Sequence, residues 1–264
     1  MKTILLAGAT PVGPLEMASN VPCALVEIGG RPIITQVMEI YSRFGHRDFI
    51  VAAGAGSIQI KQFFTNYHMM AHDLTVRITS NRTELEHTEN VAWTVRIVDT
   101  GLNSPAFDRL AQLRDVVGPE TFMLGYACAL GNIDIDALLA FHHSHGKLAT
   151  VTGVHPPLRP DGLQLHGDRV TACTRDQISA DSWTSGGFFV FEPDVFDYVT
   201  DDIIRADRTP LMQLALDGEL MAYRHRGFWH ALESASDHRY LEKCCKGQLP
   251  PWLRFDARDT VAAQ

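Results

Sequence analysis

Cys128 follows the apolar run 121–125 and Tyr126, so it falls where a strand ends. In an open α/β sheet the carboxyl ends of strands face the ligand crevice. A thiol placed there could serve as a nucleophile or as an acid/base group. Cysteine also packs as a small apolar residue, and no sequence neighbour marks this one as an activated thiolate. His230 and Glu233 lie three apart, a spacing that could put an imidazole and a carboxylate on one helix face and would suit proton transfer. His142, His143 and His145 invite a metal-binding reading. Near a helix C-terminus, however, histidines complement the helix dipole, and the structural reading is preferred. Glu84, Glu86, His87 and Glu89 precede Trp93 and read as a solvated charged turn, with a general base as the alternative. Gly186 and Gly187 would let backbone approach a ligand closely.

The elements that must position these residues follow from hydrophobic patterning. Strand candidates alternate with helical stretches, which predicts an α/β fold on a doubly wound, mostly parallel sheet. Thr3–Leu6, Asp48–Ala53, 74–78, 93–98, 121–125, 150–154 and 187–191 read as strands. The segment 32–44 carries Ile33, Ile34, Val37, Met38, Ile40 and Tyr41 at helical spacing, opens with Pro32 and stops at Gly45, which predicts a helix. Further helices are expected over 58–66, 109–116 and Ile135–His145, the last closed by Gly146. Two helical stretches flank 221–229. Residues 209–264 therefore read as a small helical and β extension of one domain spanning 1–264. The stretch 161–185, with two glycines, three serines and mixed charge, reads as a loop region suited to function.

Composition narrows the function classes. A chain of 264 residues that is 45% hydrophobic and 20% charged has ordinary globular proportions and length enough for a sizeable core. A net charge of -8 argues against general affinity for nucleic acid or an anionic membrane, while leaving room for a local phosphate pocket. The five cysteines show no metal-ligand spacing, and adjacent Cys244 and Cys245 cannot readily bridge. They read as a reduced, cytoplasmic inventory. The apolar start is short and runs into Pro11 and Gly13, so it reads as a strand and loop rather than a signal peptide. No run approaches the ~18 apolar residues of a membrane span.

The segment Val26-Glu27-Ile28-Gly29-Gly30-Arg31-Pro32-Ile33 closely resembles the V-E-I-G-G-[KR]-P-I segment of glucose-1-phosphate cytidylyltransferases. Further anchors follow in order: Asp48-Phe49-Ile50, Asn81-Arg82, Val98-Asp99-Thr100-Gly101, His145-Gly146-Lys147, Gly186-Gly187-Phe188-Phe189-Val190, Gly227-Phe228-Trp229 and Tyr240-Leu241-Glu242. The likeness runs nearly the whole length and implies a nucleotidyltransferase, Rossmann-like fold. That family transfers CMP from CTP to glucose 1-phosphate and releases pyrophosphate. The chemistry requires a glycine-rich loop with Arg and Lys around the triphosphate, a divalent cation, and carboxylates to hold it.

Position by position, the chain departs from that pattern. The family loop L-A-G-G-x-G-T-R-L is here Leu6-Ala7-Gly8-Ala9-Thr10-Pro11-Val12-Gly13-Pro14, and proline removes one N–H donor. Where the family has K-P-K-P, the chain has Val21-Pro22-Cys23-Ala24. The family's Y-G-D-G becomes Tyr126-Ala127-Cys128-Ala129, and a thiol is a poor ligand for a hard cation. A second family metal aspartate matches Glu233, and E-K-P matches Arg175-Asp176-Gln177. The resemblance also places Tyr126, Asp99 and Thr100 around the sugar pocket, with Arg159 and Arg175 as remaining anion contacts.

These departures lead to the expectation that nucleotidyl transfer has been lost. The scaffold is then expected to carry out acid/base chemistry (cyclisation, dehydration or isomerisation) on a neutral or weakly charged small molecule, in a biosynthetic side pathway. Glu233, His230, Tyr126 and Cys128 would be catalytic. Asp99, Thr100, Trp183, Gly186, Gly187, Arg159 and Arg175 would bind substrate, with no cofactor and no metal. Two alternatives stay open: an active cytidylyltransferase with an atypical site, and a non-catalytic ligand-binding or partner subunit. The resemblance also implies a homo-oligomer.

Overall fold

A computed structural model of the chain describes residues 1–8, 21–71, 74–79, 82–85, 92–101, 106–155, 162–166, 169–174, 183–199 and 209–255. Its centre is a seven-stranded sheet of β1 (Thr3–Leu6), β2 (Asp48–Ala53), β3 (Thr94–Asp99), β4 (Phe122–Tyr126), β5 (Ala149–Val154), β6 (Thr184–Phe191) and β7 (Leu220–Arg224). Across the sheet the order is β7-β5-β6-β4-β1-β2-β3. β1 is parallel to β2 and β4, β2 to β3, and β5 to β7. Only β6 runs antiparallel, to both β5 and β4. The expected doubly wound, mostly parallel architecture is the one observed.

Side chains of successive strand residues point to opposite faces, and the core divides accordingly. Leu5, Val51, Met123, Phe188 and Val190 pack with Ile33, Ile34, Val37, Met38 and Tyr41 of the helix Ile33–Ser42. Their neighbours Ile4, Ile50, Phe122, Leu124, Phe189 and Phe191 face the other way, against Leu110, Leu113, Val117, Phe196 and Leu214. A sheet covered on both faces explains why its strands read as continuous apolar runs rather than alternating ones.

The helix Ile135–His145 forms as expected, because Asp134 accepts the Ala137 N–H at 2.9 Å and Gly146 closes it at φ 64°. Its His142 is structural, for a different reason from the one the sequence suggested. His142 is buried, with Nδ1 2.8 Å from Thr150 Oγ1 and Nε2 3.1 Å from Glu192. Burial lowers its pKa despite the opposing glutamate, so it is a neutral core group rather than a cation at the dipole. A depressed histidine contributes stability that is present above its unfolded value and lost as pH falls through the folded one. Urea midpoints are therefore expected to drop between about pH 7 and pH 5, with a shallower slope in His142→Gln. An identical slope would show that this group is not responsible.

Two expectations change. The C-terminal helices form at Pro210–Leu216 and Ala235–Cys244, but the stretch between them supplies β7, which pairs with β5 and completes the sheet. The region read as loop contains the hairpin Gly162–His166 with Arg169–Thr174. There Leu163, Leu165 and Val170 alternate with polar residues in the sequence. Among the described residues no helix is long and apolar enough to cross a membrane.

Candidate functional site

The topology sets one edge of the sheet apart. The six parallel strands end there and antiparallel β6 begins there, so Gly8, Gly54, Asp99, Tyr126, His155 and Arg224 share a rim with Trp183. This is the crevice side of an open α/β sheet.

Tyr126 stands at its middle, partly buried, with a hydroxyl pKa raised by burial. Gly187 adopts φ 73°, and a Cβ there would lie 2.5 Å from Tyr126 Cδ2. The neighbouring Gly186 carbonyl accepts the Trp229 indole N–H at 2.7 Å. The glycine pair thus seats Tyr126 and Trp229. Gly187→Ala is expected to cost about 1–2 kcal/mol from its left-handed backbone alone, with more from the clash. An unchanged denaturation midpoint would contradict this placement.

From Tyr126 the chain turns through Cys128 into the short strand Ala129–Gly131, which pairs antiparallel with Trp229–Ala231. Leu232 N–H then donates to the Cys128 carbonyl at 2.8 Å, so Glu233 emerges beside Cys128, solvent-exposed. His230 lies on a strand, not a helix, and therefore shares no helix face with Glu233. It is buried, and its Nε2 is 3.0 Å from Asp237 Oδ1 while its ring lies on Tyr240. Asp237 is the carboxylate partner that the sequence reading missed. It also accepts the Ser234 hydroxyl at 2.7 Å and the Glu233 N–H at 3.2 Å. The signal was present as Ser234-x-x-Asp237, a capping box that opens the helix Ala235–Cys244.

The cysteine reading also changes. Cys23 and Cys128 are joined as a disulfide across 105 residues, with Cα atoms 6.3 Å apart. In the bridged state Cys128 holds no thiol proton and cannot act as an acid/base group. Cys244 and Cys245 are free thiols.

Asp99 and Thr100 stand three strands from Tyr126, roughly 14 Å by strand spacing, and both have structural partners. Asp99 accepts from Ser57 Oγ at 2.6 Å and Gly101 N–H, with Lys61 3.7 Å away. The Ser57 bond is the main cause of its lowered pKa. Thr100 ties its strand end to Ala53. At the opposite flank Trp183 carries the guanidinium groups of Arg224 and Arg226 at 5.8 and 5.6 Å, with the His155 ring tilted by 39° against it at 4.0 Å. Arg159, Arg175, Glu86, His87, Glu89 and residues 9–20 lie outside the described residues, as do the side chains of 82–85.

Arg109, read from sequence only as part of a helix, is the main addition. Its guanidinium is buried where β1 and β2 end, and Nη2 donates to the Gly8 carbonyl at 2.9 Å. A Cβ on Gly54 would come within 2.6 Å of it, and one on Gly8 would overlap it outright. Burial lowers its pKa, yet guanidinium stays protonated in proteins. The crevice therefore contains a cation from outside the aligned loop. The glycines after both strands, in Leu6-Ala7-Gly8 and Ala52-Ala53-Gly54, were the available signal.

The resemblance implies a divalent cation. No three His, Cys, Asp or Glu groups come together among the described residues, which therefore form no all-protein cage. Magnesium is commonly held by one or two carboxylates together with substrate phosphates, and the exposed Glu233 carboxylate fits that arrangement.

The chain is 36% identical over 257 residues to a glucose-1-phosphate cytidylyltransferase of Salmonella typhimurium, covering 97% of this chain and 100% of that one. The chain belongs to the glucose-1-phosphate cytidylyltransferase family. It is also 33% identical to a probable glucose-1-phosphate cytidylyltransferase of Bacillus subtilis, over 89% of this chain and 92% of that one. Its fold is similar to a solved structure of a putative glucose-1-phosphate thymidylyltransferase from Bacillus anthracis (TM-score 0.65, 14% identity, covering 94% and 96%). No family model matches the chain. Kinship with cytidylyltransferases along the full length overturns the expectation of a repurposed acid/base enzyme without nucleotidyl transfer.

Proposed function

We propose that this protein transfers CMP from CTP to a sugar 1-phosphate, with glucose 1-phosphate the first candidate, and releases pyrophosphate. The observation that carries this reading is the 36% identity spanning 97% of the chain and the whole of a cytidylyltransferase. The buried Arg109 beside Gly8 supports it, because a fixed cation at the ends of β1 and β2 suits a polyphosphate.

A sugar phosphate above about pH 6 is largely a dianion, so its oxygen needs no base before it attacks the α-phosphorus. Catalysis then rests on alignment and charge stabilisation. Arg109 neutralises charge on the nucleotide phosphates, and Glu233 would hold a divalent cation, which when bound supplies further charge neutralisation. Tyr126 and Trp183 border the acceptor side of the crevice. His230 positions Asp237 and, through it, the backbone of Glu233, rather than moving a proton.

Pyrophosphate release is expected when CTP and glucose 1-phosphate are both supplied with magnesium, and to cease when either substrate is omitted or the metal is chelated. Failure with glucose 1-phosphate and with a panel of other sugar 1-phosphates and nucleoside triphosphates would overturn the reading.

A further inference from the structure

The bridge between Cys23 and Cys128 spans two parts of the site. Cys23 opens the short 3-10 turn Cys23–Leu25, directly after the segment that follows β1, and is buried. Cys128 ends the turn after β4 and is only partly buried. Leu232 touches both residues of the bridge. Its N–H donates to the Cys128 carbonyl at 2.8 Å, and its carbonyl oxygen lies 3.6 Å from Cys23 Sγ. Glu233 is the next residue.

We infer that Cys23 and Cys128 form a reversible thiol–disulfide site that controls the setting of Glu233. This inference rests on the transfer reading for its kinetic consequence alone. The Cα separation of 6.3 Å lies within the ordinary range for a bridge, so the two residues can exchange states without a large backbone movement. In the thiol form Cys23 can donate its S–H to the Leu232 carbonyl, which anchors the backbone ahead of Glu233 from a second side. In the bridged form that proton is gone, and the turn after Tyr126 is tied covalently to the 3-10 turn Cys23–Leu25. The reduced protein is the competent form and the oxidised protein the restrained one.

The oxidant class is a low-molecular-weight disulfide such as oxidised glutathione. Cys128, the more accessible sulfur, attacks as thiolate, breaks the oxidant's S–S bond and expels one thiolate. Cys23 then attacks the mixed disulfide, forms the Cys23–Cys128 bond and expels the second. The two protons lost by the protein thiols end on the two oxidant thiols, and the two electrons reduce its S–S bond.

The test equilibrates the full chain in oxidised or reduced glutathione. It maps the Cys23–Cys128 peptide link by mass spectrometry, records the melting temperature, and measures pyrophosphate release. The link should form and be removed reversibly. The bridged form should melt about 5 °C or more higher, as a typical disulfide would predict for a chain of this length. Release by the bridged form should be about tenfold slower, the scale of one lost hydrogen bond at the site. Cys23→Ser should abolish the oxidised-to-reduced rate difference, whereas the double variant Cys244→Ser/Cys245→Ser should retain it. A link that never forms, resists reduction in the folded protein, or leaves the rate equal or faster would overturn the inference. If neither form releases pyrophosphate, the transfer reading fails by itself. The redox site then stands on a mapped, reversible link with the melting shift, and falls if both are missing.

Discussion

Arg109→Met is expected to reduce pyrophosphate release by about 100-fold or more, the scale of removing one fixed donor from developing charge in other enzymes. The guanidinium is buried at the ends of β1 and β2, and both Gly8 and Gly54 lack the side chain that would otherwise occupy its place. Methionine keeps much of the stem but removes the charge and leaves the Gly8 carbonyl without its 2.9 Å donor. An unmet buried acceptor costs about 1–3 kcal/mol, so the melting temperature should fall as well. Lysine separates the two effects. It restores a positive charge without the planar fork that reaches Gly8, so Arg109→Lys should recover stability more fully than it recovers turnover. The affinity for CTP, measured directly by calorimetry, should weaken in both variants. Unaltered CTP affinity and turnover in Arg109→Met would remove this residue from the nucleotide site.

The same residue shows where sequence reading stops. Strand limits such as Asp48–Ala53 and the helix Ile135–His145 were legible because their signals are local: apolar runs, an Asp134 cap, a Gly146 stop. Assignment of the strands to a doubly wound sheet followed from their alternation with helices. Features made by residues distant in sequence were not legible. Arg109 meets Gly8 across 101 positions and Cys23 meets Cys128 across 105, and neither pairing leaves a periodic trace. The stretch Leu220–Arg224 is a strand because β5 lies beside it, which its own residues do not announce. The functional misreading had the same origin. The segments 6–14 and 21–24 contain no Lys or Arg, whereas the cation at the strand ends comes from a helix that follows β3.

Glu233→Gln is the second large effect, and it separates charge from architecture. Glu233 is exposed, and its position is set by backbone bonds: Leu232 N–H to the Cys128 carbonyl on one side, and its own N–H to Asp237 on the other. Glutamine preserves shape and backbone, so the melting temperature should stay within about 2 °C of the parent, as for most exposed substitutions in a chain of this length. Turnover should nevertheless fall by about 100-fold if the carboxylate holds the divalent cation against the phosphates. Asp237→Asn is the counterpart. Burial alone would raise the Asp237 pKa, but hydrogen bonds from Ser234, His230 and the Glu233 N–H outweigh it and the net shift is downward. A depressed carboxylate contributes stability that is present above its unfolded value and lost as pH falls through the folded one. Asp237→Asn should therefore lower the melting temperature at neutral pH, flatten its decline in acid, and slow transfer only through the looser setting of Glu233. Raising the magnesium concentration should partly restore turnover in Asp237→Asn, whose Glu233 carboxylate remains, but not in Glu233→Gln. Equal rescue of both variants, or full activity in Glu233→Gln, would mean that the cation is held elsewhere in the crevice.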